Sequence, residues 1–95
     1  MKNTIGTHAT AIHTDDNGYT NVVYHSTPVV KFNGARIILN TGGYYSNTTK
    51  KRMNETSQEF NLGFHVAAIR GKWHVMHNHS DGKYLPFTDG MTIER

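Results

Sequence analysis

The chain has 95 residues, ten Lys and Arg against seven Asp and Glu, and a formal charge of +3. That length fits one domain, and with 36% apolar residues its core must be small. The lack of cysteine excludes disulfides, thiolate metal sites and a cysteine nucleophile, and the mild positive charge is compatible with nucleic acid without requiring it.

At the start, Met1-Lys2 is followed by polar Asn3-Thr4 with no hydrophobic segment behind it, so no signal peptide is expected. Asp15-Asp16-Asn17-Gly18 is a strong turn signal. Pro28 is expected to break or bend the chain after Val22–His25, because it cannot donate to a central ladder. Asn33-Gly34 separates Val29–Phe32 from Arg36–Leu39 and predicts a hairpin, since both residues tolerate the positive φ of a type I′ turn. Val30 and Phe32 share a parity, as do Ile37 and Leu39, and these four are read as its buried face.

The period then changes. Thr49, Met53, Thr56 and Phe60 form one helical stripe, so a helix is predicted over about 47–61. Ser46 or Asn47 can cap its start and Gly63 can supply a left-handed residue at its end. Beyond it, Phe64–Ile69 and Lys72–His77 flank Arg70-Gly71 as a second hairpin. Asp81-Gly82 and Asp89-Gly90 turn before Tyr84–Phe87 and Met91–Ile93. The longest apolar runs, Ile37–Leu39 and Val66–Ala68, are far too short to cross a bilayer as helix. The expected class is α+β, a single domain over 1–95 with one twisted antiparallel sheet and the helix packed on one face.

From Val22 onward the chain resembles a family of short bacteriophage and prophage proteins. The resemblance rests on Leu39-Asn40-Thr41-Gly42-Gly43-Tyr44, on Thr48-Thr49-Lys50-Lys51-Arg52-Met53-Asn54, and on Pro86-Phe87-Thr88-Asp89-Gly90-Met91. The strand Gly71-Lys72-Trp73-His74-Val75 fits the same pattern. It implies a phage origin and a common fold, and it brings no activity with it. The histidines at 74, 77 and 79 depart from the usual pattern.

Three groups of residues carry chemistry. Gly42, Gly43, Tyr44 and Tyr45 lead into Thr48, Lys50, Lys51 and Arg52. Cations in the first turns of a helix oppose its dipole, at about 0.3–1 kcal/mol each, but beside free backbone N–H groups they could bind phosphate. Lys51 can pair with Glu55 at i+4. The spacing is not that of a P-loop. The second group is His74, His77 and His79; on a strand two of these would share a face, but a tetrahedral metal site needs further ligands, so no metal is expected. The third is aromatic: Tyr24, Tyr44, Tyr45, Trp73 and Tyr84, interleaved with Arg36, Arg70 and Lys72. Such a face can stack bases or dock a protein, although most of these rings are needed to fill a small core.

Catalysis finds little support. There is no Gly-x-Ser-x-Gly elbow, and Asp15, Asp16, Asp81 and Asp89 lie in turns where they shape backbone. The expected protein is non-enzymatic and without cofactor, a phage accessory factor for host takeover or anti-defence that acts by binding in the host cytoplasm. Its expected partner is nucleic acid or a host nucleic-acid-handling complex. The alternative is an inhibitor that binds a host defence protein by shape, and a histidine-based metal protein is more remote. No membrane contact is expected, and a homodimer is compatible with this reading.

Overall fold

The computed structural model describes residues 10–95. The expectation about Met1–Thr4 lies outside them. Eight strands and one helix follow in the order β1 (Thr10–Thr14), β2 (Thr20–Tyr24), β3 (Thr27–Phe32), β4 (Arg36–Leu39), α1 (Asn47–Glu59), β5 (His65–Ile69), β6 (Lys72–Met76), β7 (Leu85–Pro86) and β8 (Met91–Glu94).

The strands form two antiparallel sheets, not the one expected. The larger has the order β1-β2-β3-β4-β8 and the smaller β5-β6-β7. The C-terminal strand returns to pair with β4, with Ile37 opposite Ile93. That occupies the edge which β5 would need in order to join. The hairpin of β5 and β6 instead lies against α1, which also touches β2 and β3.

One helix serves two sheets because its contacts with them differ in kind. Thr49, Met53 and Thr56 are buried. Asn54 and Ser57, further round the helix, take the place of a neighbouring strand for β5. Asn54 Nδ2 donates to the Val66 carbonyl and Asn54 Oδ1 accepts from the Val66 N–H, both at 2.8 Å. Ser57 Oγ donates to the Phe64 carbonyl at 2.6 Å and accepts from the Phe64 N–H at 3.0 Å. Four backbone groups, two on the edge of β5 and two just before it, are thereby satisfied by two side chains.

The helix ends have clear local causes. Ser46 is the N-cap, its Oγ accepting from Thr49 N–H at 3.1 Å. At the other end Asn61 is left-handed, with φ 53°, and Leu62 N–H returns to the Ser57 carbonyl at 2.9 Å. Gly63 is left-handed as expected, with φ 74°, but lies two residues beyond Asn61, the left-handed residue that ends the helix. A Cβ at Gly63 would strike the Asn78 side chain.

The Asn33-Gly34 hairpin pairs Val30 with Leu39 and Phe32 with Ile37, and all four side chains are buried as expected. Its turn is not type I′, because neither Asn33 nor Gly34 has positive φ. Asn33 Oδ1 instead accepts from the N–H groups of Ala35 and Arg36, at 2.8 and 2.9 Å. Arg70 and Gly71 do have the positive φ of a type I′ turn, 53° and 77°. The chain does turn after Tyr24, but at His25 and Ser26, and Pro28 does not interrupt the pairing that follows. It lies within β3 opposite Val23, where the register shifts between Val22 and Val23. This bulge is where a ladder tolerates proline, and it lets consecutive Val29 and Val30 both be buried.

A continuous apolar core joins Val22, Val30, Ile37, Leu39 and Ile93 of the large sheet to Met53 and to Val66 and Val75 of the small one. Among the described residues no buried side-chain nitrogen or oxygen lacks a hydrogen-bond partner, and no helix is long and apolar enough to cross a membrane.

Candidate binding cleft

The loop between β4 and α1 is held from below. Thr41 N–H and Oγ1 each donate to the Asp89 carboxylate at 2.8 Å, and Gly90 N–H donates to the Leu39 carbonyl at 2.7 Å. Gly42 has φ 66° and passes so close to Thr27 that a Cβ would overlap its side chain. Asn40 Oδ1 accepts from Gly42 N–H at 2.8 Å and Thr41 Oγ1 from Gly43 N–H at 3.1 Å. The loop is therefore tied to β3 and to the entry of β8 before it delivers two tyrosines.

Those tyrosines diverge. Tyr44 is 76% exposed and borders a hollow of about 180 Å³ with Tyr24, His25 and Thr49. Tyr45 turns towards the small sheet. Its ring meets Trp73 edge-on at 5.1 Å and Phe87 at 6.1 Å, while Trp73 and Phe87 lie 5.4 Å apart. Even so, Tyr45 remains 54% exposed. These three rings, with Lys72, His74 and Pro86, line an open cleft of about 580 Å³. Lys50 Nζ lies 6.0 Å from the centre of the Trp73 ring. Among the described residues that line the cleft none is acidic.

The residues singled out from sequence separate into distinct places. Tyr45 and Lys50 reach the cleft. Lys51 is exposed on the neighbouring helix surface, and Thr48 is half-buried. Gly42 and Gly43 act through backbone shape. Arg52 points inward and is 6% exposed. Its Nε donates to Thr10 Oγ1 at 3.1 Å, its Nη1 pairs with Glu55 at 3.0 Å, and its guanidinium lies 5.8 Å from the centre of the Tyr24 ring. The partner shown for Glu55 is thus Arg52, where Lys51 was expected. Tyr84 lies apart from the cleft beside His65, at 6.3 Å.

The strand assumed for the histidines ends at Met76. His77 and His79 lie on a turn, rings 6.3 Å apart, with His79 N–H donating to His77 Nδ1 at 3.2 Å. His74 Nδ1 lies 2.9 Å from the Lys72 carbonyl oxygen. No group of three or more His, Asp or Glu arranged to hold a metal occurs among the described residues.

Phe87 and His74 were not assigned to this site from sequence. Trp73 and Lys72 were grouped with Tyr45 as aromatics and cations, but nothing in the spacing says that a loop near residue 45 meets a strand near residue 73. The signal available was the chain's single tryptophan on a hairpin strand.

The architecture is that of a small two-sheet α+β protein with an aromatic cleft at the joint between loop, helix and small sheet. The chain belongs to the Kyanoviridae Gp96 protein family, whose match covers residues 1–94, and it is thus a phage protein. The match includes the first 21 residues, which the resemblance read from sequence left uncovered. No curated protein and no solved structure matches the chain.

Proposed function

We propose that this protein is a phage accessory factor, for host takeover or anti-defence, that acts by binding and not by catalysis. Its contact surface is the corner of Gly43–Lys51, and its partner is nucleic acid, alone or within a host nucleic-acid-handling complex. The observation that carries this reading is the placement of Lys50 and Tyr45 together on Trp73, in a cleft whose described lining is free of acid. Cations next to exposed aromatic rings suit a phosphate-bearing polymer. Ser46 already occupies the Thr49 N–H, so the attraction comes from side-chain charge more than from an open helix end.

The test is salt dependence. Two phosphate contacts by Lys50 and Lys51 on duplex DNA give a slope near −1.8 in log affinity against log salt, at about −0.9 per contact, and a single strand gives less. Changing both lysines to Ala should weaken binding and flatten the slope. Changing exposed Arg36 and Lys83 to Ala removes the same charge elsewhere and should have a smaller effect. Equal losses from the two pairs would mean general charge and no site. A wild-type protein that binds neither DNA nor RNA at about 50 mM salt, where such contacts are strong, would overturn the reading.

A further inference from the structure

We infer that the cleft receives an unpaired base of a single strand, so that the nucleic acid bound is single-stranded and not duplex; this rests on the reading above. In a duplex the bases are stacked on one another and offer only their edges to a groove reader. Ring-on-ring stacking is open to a base only when it is splayed out of a helix. The cleft is open, about 580 Å³, within the range of small-ligand sites, and three aromatic rings are among its lining. Tyr45, Trp73 and Phe87 meet one another edge to face, with interplanar angles of 79°, 86° and 67°. The cluster is not sealed by its own contacts, since Tyr45 is more than half exposed although it touches two neighbours.

Charge complementarity selects the occupant. Lys72 and His74 are among the lining residues and Lys50 stands over Trp73, whereas an apolar peptide would need none of these. A base inserted beside Trp73 places its own phosphates at the rim, within reach of flexible lysine side chains. No amide or carboxylate side chain lines the described cleft, so the side chains that most often make paired contacts to a base edge are missing from it and stacking with charge carries the recognition.

Trp73 is the only tryptophan and therefore reports on the cleft by its fluorescence. The experiment titrates the full chain at about 50 mM salt with three probes of equal length and charge per strand: a thymidine oligomer, an abasic oligomer and a duplex. The expected result is quenching of Trp73 by the thymidine strand, with affinity at least tenfold above that of the other two. Tyr45→Ala should lower the affinity for the thymidine strand by about 5- to 150-fold, the range for loss of one stacked base. It should leave the abasic strand unchanged. Equal affinity for all three probes without quenching overturns this inference and leaves the phosphate-binding reading standing. Binding of none overturns both. Undiminished binding by Tyr45→Ala removes the cleft from the account, and the wild-type quenching measurement decides the matter even if that variant fails to fold.

Discussion

Arg52 shows how far three consecutive cations can be from one patch. Neighbouring residues on a helix are rotated by about 100°, so Lys50, Lys51 and Arg52 must face three ways. The charge run was legible in the sequence, but its division was not, because that depends on Tyr24 and Thr10 lying beneath the third residue. Arg52→Ala removes a buried, hydrogen-bonded guanidinium and should cost about 1–3 kcal/mol, whereas exposed Lys51→Ala should stay within about 0.5 kcal/mol. Thermal unfolding of the two variants separates them. Asp15 offers a second check at this scale. Its carboxylate accepts from Asn21 Nδ2 at 3.0 Å, from Tyr19 N–H at 3.1 Å and from Asn17 N–H at 2.9 Å, with Lys31 at 3.7 Å. The Asn21 hydrogen bond first, then the backbone bonds and Lys31, hold its pKa below the ordinary 3.8. A depressed native pKa means that the turn's contribution is whole above the unfolded value and is lost as pH falls through the lower native one. NMR titration should therefore find the Asp15 midpoint below 3.8, and Asn21→Ala should move it upward.

Among the elements, those defined by local chemistry were readable and those defined by distant partners were not. The Ser46 cap, the Met53 stripe and the Arg70-Gly71 turn follow from residues close in sequence, and each is present. The register of the β3–β4 hairpin was also legible, because a slip by one would turn Val30, Phe32, Ile37 and Leu39 to solvent. The tight β2–β3 connection was hidden, since His25 and Ser26 take positive φ, 48° and 68°, without the usual Gly or Asn. The second sheet was hidden by Asn54 and Ser57. Polar residues beside an apolar stripe read as a solvated helix flank, and no periodicity distinguishes them from residues that complete a strand edge. Asn54→Ala leaves the outward N–H and C=O of Val66 without those partners and should cost about 1–3 kcal/mol. Hydrogen exchange should show faster exchange at the Val66 amide, with the β3–β4 amides changed much less. Unaltered exchange at Val66 would mean that the side chain adds nothing to the edge.

At the scale of the whole molecule the two sheets are distinct in hydrogen bonding and joined in packing. The cleft depends on that union, since Tyr45 comes from a loop that Asp89 ties to the large sheet, while Trp73 belongs to the small one. If the small sheet could melt alone, the cleft would vanish before the fold did. The shared core argues against this. Met53 is fully buried in the cluster that contains Val22 and Leu39 on one side and Val66 and Val75 on the other. Loss of either sheet would strip apolar contacts from the same side chains, so unfolding should be a single transition. Two probes test it, because Trp73 fluorescence follows the small sheet and far-ultraviolet circular dichroism follows the whole backbone. Their melting curves should coincide in the wild type. Met53→Ala should lower both together, by about 2–5 kcal/mol for truncation of a buried side chain. That is a large part of the stability of a small domain, commonly about 5–15 kcal/mol, so the variant should be close to unfolding at physiological temperature. A fluorescence midpoint well below the dichroism midpoint would show instead that the small sheet docks and undocks by itself, and that the cleft is assembled only part of the time.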